Sequence, residues 1–371
     1  MPTVQDLIQA INQVFPLSRA EKWDKVGLQI GDAQTEVHRV IIAHEVTETV
    51  LDKASDCALV VYHPLLFRPL ENLNFQNHSV ALAARCIRQN LQVIAVHTAL
   101  DNAPPLWVKP PGALGDALAQ ELGLQNLRVL SPSGQEALCK IVVFVPPSHL
   151  EGVQNAMWQA GAGEIGLYDQ ASFRVRGQGT FRPLPGAHPF EGTIGKREEV
   201  DEWRLEVIVP QARSGAVIVA MRMAHPYEEV AYDVYPLRND IHPYGSARMG
   251  ELPTTLSLQD YAAQVSKSLR APNVRVVGDN RDIQRIACVP GSGAGYIEAA
   301  HKAKCDCLVT GDIKHHDALQ AKALGLSLID ATHVATEHGA VPLIADVLRA
   351  VPNLQVDVCE VDTNPFEAMQ N

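Results

Sequence analysis

The sequence predicts an α/β fold interrupted by an inserted ferredoxin-like α+β domain, and three observations predict it. Between residues 37 and 96, short apolar runs alternate with helical stretches, as in β–α–β units with parallel strands. From about residue 134 to 240 the order becomes β-α-β-β-α-β, which matches a ferredoxin-like sandwich. After Gly245 the strand–helix alternation returns. The implied domains are a first lobe over 1–133, the insert over 134–240 and a second lobe over 241–371.

Each element has its own local signal. Thr3 with Asp6 forms a candidate capping box ahead of Val4, Leu7, Ile8, Ile11 and Val14, an apolar stripe at helical spacing that Pro16 stops. Ser18 with Glu21 has the form of a second box. It leads into 21–31, where Trp23 and Asp24 stand beside two glycines; a packed turn is the plainer reading, a pocket wall or subunit contact the functional one. A strand is predicted over 37–43, a helix over 45–54, a strand over 57–61, a helix over 78–89 and a strand over 91–96. A proline-rich excursion runs over 101–111, and a short helix over 115–122 stops at Gly123.

In the insert, strands 138–145 and 202–209 each run into proline, helices span 149–159 and 213–223, glycine-rich alternation covers 173–185, and 232–237 closes the set. Beyond it lie a helix over 258–269, strands over 274–277 and 283–289, a helix over 296–303 and strands over 307–310 and 326–329. The run Pro290-Gly291-Ser292-Gly293-Ala294-Gly295 sits between strand and helix. Backbone N–H groups there can hold an anion, or the run is a plain tight turn; it lacks the dinucleotide and P-loop patterns. The last helix contains Pro342, so a kink is predicted.

Composition narrows the function classes. With 371 residues, 46% apolar and 20% charged, the chain can build sizeable cores. A net charge of −11 argues against a nucleic-acid footprint, which is basic. No apolar run approaches the roughly 18 residues of a membrane span. Residues 1–6 lack the basic and apolar regions of a signal peptide, so a cytoplasmic location is expected. Seven scattered cysteines fit reduced thiols better than disulfides, and Cys305-x-Cys307 reads as the start of a buried strand.

The chemistry concentrates where apolar strands end in histidine. Val60-Val61-Tyr62-His63-Pro64 places His63 at the carboxyl end of a strand, because proline has no N–H and holds its predecessor extended. That edge is where open α/β sheets bind ligands. A second strand delivers His97, with Asp101 four residues on; a third delivers Asp330 and His333, with Glu337 four residues on. Residues four apart share a helix face, so one ion can touch both. Imidazole with carboxylate suits zinc, manganese and iron(II). A lone histidine after a strand is more often a hydrogen-bonding residue; the repetition favours ligation. His38, His78, His149, His188, His242 and His301 read as surface or loop residues. The cluster Asp312, Lys314, His315, His316 and Asp317 is either a substrate-facing wall that handles protons or a polar helix N-terminus.

With these residues in hand, the chain resembles the Nif-three-like dinuclear metal-centre hexameric proteins, the GTP cyclohydrolase I type 2 homologs. The motifs are Trp23-Asp24-x-Val26-Gly27-Leu28-Gln29, His63-Pro64-Leu65-x-Phe67, His97-Thr98-x-x-Asp101-Asn102, Gly291-Ser292-Gly293, Thr310-Gly311-Asp312 with His315-His316-Asp317, and His333-x-x-x-Glu337. The insert resembles that of longer bacterial members, which is similar to CutA and PII-type domains, through Gly177-x-Gly179-Thr180-Phe181-Arg182-Pro183 and the run from His225 to Asp233.

The resemblance implies a Nif-three-like core of two α/β lobes with mostly parallel sheets, and a homo-hexamer built as a trimer of dimers. It also implies two divalent ions per subunit (zinc, iron or manganese), with ligands at His63, His97, Asp101, His333 and Glu337. Tyr62 stands where many members have a first of two histidines, and Lys25 where asparagine is common. The activity implied is that of a metal-dependent hydrolase of a nucleotide-like substrate, with His315 and His316 as candidate catalytic residues. The alternative is a metal-binding carrier, sensor or scaffold without enzymatic activity.

Overall fold

The computed structural model describes residues 1–106, 111–166, 168–239 and 243–366, so His242 and part of the proline-rich excursion lie outside the described residues. The chain divides into two compact units, Met1–Gly134 with Tyr244–Asn371, and Gln135–Pro243.

The first unit is built on two sheets. One runs, in spatial order, Gly27–Ile30, Gln92–Ala95, Ala58–Val61, Arg39–Ala43 and Gln355–Val358. Its pairings are parallel except that of Gly27–Ile30. The strands Ala58–Val61 and Gln92–Ala95 are buried throughout, as expected of parallel strands covered on both faces. Val4, Leu7 and Ile11 of the helix Val4–Val14 cover one face together with Ile344 and Leu348 of the helix Ala340–Arg349. Val50, Leu51, Leu82 and Cys86 cover the other. The first capping box forms: Asp6 N–H donates to Thr3 Oγ1 at 3.3 Å, and Thr3 N–H to Asp6 Oδ2 at 2.7 Å.

The second sheet runs Arg275–Val277, Ser327–Asp330, Cys307–Gly311, Asp282–Ser292, Arg248–Ser257 and Gln125–Val129. Only the two pairings made by Cys307–Gly311 are parallel; the outer three are antiparallel. A mostly parallel sheet therefore describes the first sheet and not the second. The strand Arg248–Ser257 escapes sequence patterning because Pro253 breaks it; its register against Asp282–Ser292 shifts between Glu251 and Leu256, where a residue without N–H is tolerated. Gln125–Val129 is an exposed edge with little apolar signal.

The two lobes also do not part at the insert. Leu118 and Ala119 of the helix Leu114–Glu121, which precedes the insert, pack with Tyr261 and Ile286 in the second lobe. The chain's last helix and strand return to the first sheet. This corrects the boundaries 1–133 and 241–371: each lobe draws on both sides of the insert. A buried ion pair fastens the crossing helix, with Arg248 Nε donating to Asp116 Oδ1 at 2.5 Å and Nη2 to Oδ2 at 3.0 Å, both side chains fully buried.

Three local expectations differ in detail. The helix expected over 45–54 is only Glu48–Leu51, because Thr47 caps it, accepting from Val50 N–H at 3.3 Å. Ser18 lies inside a short 3₁₀ turn, and Glu21 instead accepts from Asn102 Nδ2 at 3.0 Å. The helix carrying Glu337 does not kink at Pro342; it ends, and a new helix starts at Ala340, where Pro342 falls in the first turn and its missing N–H costs nothing. All seven cysteines are free and six are buried.

The second unit is a four-stranded antiparallel sheet in the order Tyr232–Pro236, Leu138–Val145, Glu198–Pro210 and Phe173–Phe181. Helices Leu150–Gln159 and Ser214–Ala224 supply Val153, Met157, Val217 and Met221 to one core with Ile141, Val143, Leu205 and Val207. Its edge strand Phe173–Phe181 is largely exposed. Among the described residues, no helix is long and apolar enough to cross a membrane.

Candidate metal centre

Four strand ends bring four histidines together in the first unit. His44 follows Arg39–Ala43, His63 follows Ala58–Val61, His97 follows Gln92–Ala95, and His333 follows Ser327–Asp330 of the second sheet. The parallel ladder sets the first three side by side. His63 N–H donates to the His44 carbonyl at 2.9 Å, and His97 N–H to the Tyr62 carbonyl at 2.9 Å. Ring centroids lie 4.7 Å apart for His44 and His63, 5.1 Å for His63 and His97, and 5.6 Å for His63 and His333.

The ring planes are steeply inclined to one another, yet three of the rings turn the same nitrogen toward one atom. His44 Nε2, His63 Nε2 and His333 Nε2 lie 3.2, 3.4 and 3.1 Å from a single atom, Glu337 Oε2. Donors about 2.1 Å from one cation and 90–109° apart are separated by about 3.0–3.4 Å. Glu337 Oε2 and both ring nitrogens of His44 are buried and outside hydrogen-bond geometry. Buried polar atoms without partners are few in folded proteins, and a shared cation accounts for several at once. On the outer side, His63 Nδ1 meets Glu45 Oε1 at 3.1 Å, His97 Nδ1 meets Asp24 Oδ1 at 2.9 Å, and His333 Nδ1 meets Asp312 Oδ2 at 2.6 Å. Metal-ligating histidines hold the second N–H on a carboxylate in this way, which leaves Nε2 as the inward donor.

Of the five residues expected as ligands, His63, His333 and Glu337 form one compact donor group. Among the described residues the other is His44, Glu45 and His63. His97 flanks His63, and Asp101 is buried and accepts from the Tyr62 hydroxyl at 2.9 Å; neither belongs to a compact group. His315 and His316 are exposed at the start of the helix His315–Ala323, with rings 5.4 Å apart, and Asp317 caps that helix by accepting from Lys314 N–H at 3.0 Å. They sit at a polar helix N-terminus, and Asp312 is the residue of that segment that reaches the cluster.

Sequence reasoning missed His44, Glu45 and the orienting roles of Asp24 and Asp312. His44 obeys the same rule as the others, an apolar strand ending in histidine, and that signal could have found it. The glycine run is used for close packing: Gly291 has φ +63°, its N–H donates to Thr336 Oγ1 at 2.9 Å, and a Cβ there would stand 2.3 Å from Glu337 Oε1. Trp23 is 55% exposed, with its ring 5.7 Å from that of Phe67 and 5.9 Å from that of His97, and so lines the rim of the cluster rather than a packed turn.

The electrostatics couple the donors. Burial opposes a proton on His44, but Glu337 and Glu45 outweigh it and push its pKa up to about 9. Glu337, with help from Asp312, takes His333 to about 9 as well. Burial would raise Glu337, yet His333 and His44 hold it well below the usual carboxylate range. Burial, with the charge of Glu337, lifts Asp101 to about 7.

Without metal, the stabilisation from protonated His44 and His333 is complete below their unfolded pKa of 6.5 and is lost as pH rises through about 9. A cation replaces those protons. The rise in Tm on adding zinc is therefore expected to grow from pH 6.5 to pH 9; calorimetry with and without the ion checks this, and a pH-independent difference would contradict it. Three non-glycine residues at the strand ends, His97, Asp312 and Thr332, have positive φ of 35°, 58° and 71°, strained conformations of the kind that collect at functional sites.

The comparisons with known proteins agree over the whole length. The family model described as Duf34/NIF3 (NGG1p interacting factor 3) matches residues 2–365. A Bacillus subtilis protein named GTP cyclohydrolase 1 type 2 homolog is 36% identical over 370 residues, 98% of this chain and 97% of its own. A protein of the same name from Halalkalibacterium halodurans is 37% identical over 333 residues, 89% of this chain and 88% of its own. The crystal structure of a Bacillus cereus protein related to NIF3 superposes with a TM-score of 0.84 at 36% identity, covering 99% of each chain. On these matches the chain belongs to the DUF34/NIF3 family.

Proposed function

We propose that this chain is a dinuclear-metal-binding hydrolase acting on a nucleotide-like substrate. The observation that carries the proposal is the convergence of three imidazole Nε2 atoms on Glu337 Oε2, each ring having a carboxylate near its Nδ1. Bound divalent ions supply Lewis acidity and bring the pKa of a water toward neutrality; zinc, iron or manganese suits the nitrogen and oxygen donors. His63, His333 and Glu337 hold the ions, and Asp24 fixes the ring of His97 beside them. Asp101, with its pKa lifted to about 7, is poised to take and return a proton, and the Tyr62 hydroxyl holds it in place. Trp23 and Phe67 offer aromatic faces at the rim to a flat ring.

The relatives' name places GTP first in a panel of nucleotides and phosphoesters. Turnover by the metal-loaded protein is expected, with a fall of about a hundredfold or more in Asp101→Ala. A panel left untouched while metal exchanges readily would overturn the hydrolase reading and leave the carrier or sensor.

We further propose that the chain assembles with itself as a hexamer, a trimer of dimers. The exposed edge strand Phe173–Phe181 and apolar Phe173, Val175, Val219 and Met223 on the surface of the second unit support self-association. Native mass spectrometry is expected to give six subunits; a monomer at micromolar concentration would contradict this.

A further inference from the structure

We propose that His44 is the ligand that secures a second metal ion in this centre. The inference rests on the metal-binding reading above and assigns a residue to it. His44 is 7% exposed, and neither ring nitrogen has a hydrogen bond. Each nitrogen has a carboxylate nearby, but neither contact is a well-formed hydrogen bond, which is costly for a buried imidazole unless something else satisfies it. Its Nε2 points at Glu337 Oε2 from 3.2 Å, and its Nδ1 lies 3.6 Å from Glu45 Oε1.

Among the described residues the compact donor groups are two, and they share His63: one adds His333 and Glu337, the other His44 and Glu45. With His63 Nδ1 held by Glu45, the imidazole that the second group adds is His44, and Glu337 Oε2 lies within reach of histidines from both groups, which supports two ion positions rather than one. Tyr62, between the two histidine-bearing strand ends, does not serve as a donor toward Glu337. Its hydroxyl is engaged with Asp101, and its ring packs 5.3 Å from that of His44. The backbone explains why position 44 can do this work: Tyr62 N–H donates to the Ala43 carbonyl at 3.2 Å and His63 N–H to the His44 carbonyl at 2.9 Å, so positions 44 and 62–63 are neighbours across the ladder. A further imidazole biases the centre toward zinc, iron(II) or cobalt(II) and away from magnesium, whose preferred donors are oxygens.

The test titrates cobalt(II) into the full-length, metal-stripped protein, with bound metal measured by elemental analysis after dialysis and by visible absorption. Wild type is expected to retain two equivalents and His44→Ala one, with magnesium in excess displacing neither. Moving the imidazole across the ladder, in His44→Ala with Tyr62→His, is expected to restore the second equivalent. Two equivalents in His44→Ala, or one in both proteins at equal affinity, would overturn the assignment while leaving the metal centre standing. No retained cobalt in wild type would overturn the centre itself. Should circular dichroism show His44→Ala unfolded, His44→Gln and the proton NMR spectrum of cobalt-loaded wild type decide. A hyperfine-shifted ring N–H resonance assigned to His44 supports the ligand, and its absence among otherwise shifted histidines overturns it.

Discussion

Replacing Glu337 by glutamine is expected to lower metal affinity by at least about a hundredfold, the upper end of what losing a merely orienting partner costs. Glu337 Oε2 is the one atom that His44, His63 and His333 all face. Glutamine keeps the volume but not the charge, and its amide would offer a cation a neutral oxygen in place of a carboxylate. The same substitution acts on the metal-free protein. Glu337 is 4% exposed and holds protons on His44 and His333, so breaking the pair is expected to cost about 3–5 kcal/mol near neutral pH. Both histidines then titrate lower, so the loss shrinks as pH rises toward 9, where they are already losing their protons. Isothermal titration of the ion and urea unfolding at two pH values read the two effects separately. Unchanged affinity would remove Glu337 from the centre.

The second large effect lies away from the site. Asp116→Ala is expected to cost about 3–5 kcal/mol, because it leaves the guanidinium of Arg248 buried without its carboxylate. Asp116 does more than pair with Arg248. Its Oδ2 also accepts from Ala113 N–H at 2.8 Å and Leu106 N–H at 3.0 Å, which caps the helix Leu114–Glu121. That helix carries the chain from the first lobe into the core of the second. Glu337 and His63 come from different lobes, so loosening this joint is expected to weaken metal binding as well as lower the midpoint of urea unfolding. A variant with wild-type midpoint would show that the ion pair contributes nothing net.

Much of this was legible in the residues because the signals were strong and local. Buried parallel strands such as Ala58–Val61 are continuous apolar runs, and the histidines that end them sit where a sheet exposes its ligand-binding edge. Thr3 and Asp6 announced their capping box. What was not legible depends on distant partners. Nothing near Asp312 in sequence says that its carboxylate meets His333, and the exposed pair His315 and His316 looked the more chemical choice. Gln125–Val129 and Arg248–Ser257 form by pairing at an irregular edge, with Gly250 and Pro253 hiding their strand character. The glycines at 291 and 293 left an anion cradle and a tight turn both open because sequence shows a small residue but not what crowds it; here Glu337 and Thr310 do.

Strand ends from both lobes are expected to hold divalent cations against Glu337. Crystals of the zinc-loaded protein, measured on either side of the zinc absorption edge, test it most directly. Anomalous density is expected within about 2.3 Å of Glu337 Oε2 and of the Nε2 atoms of His63 and His333. Density confined to other residues, or none after saturation with zinc, would contradict it.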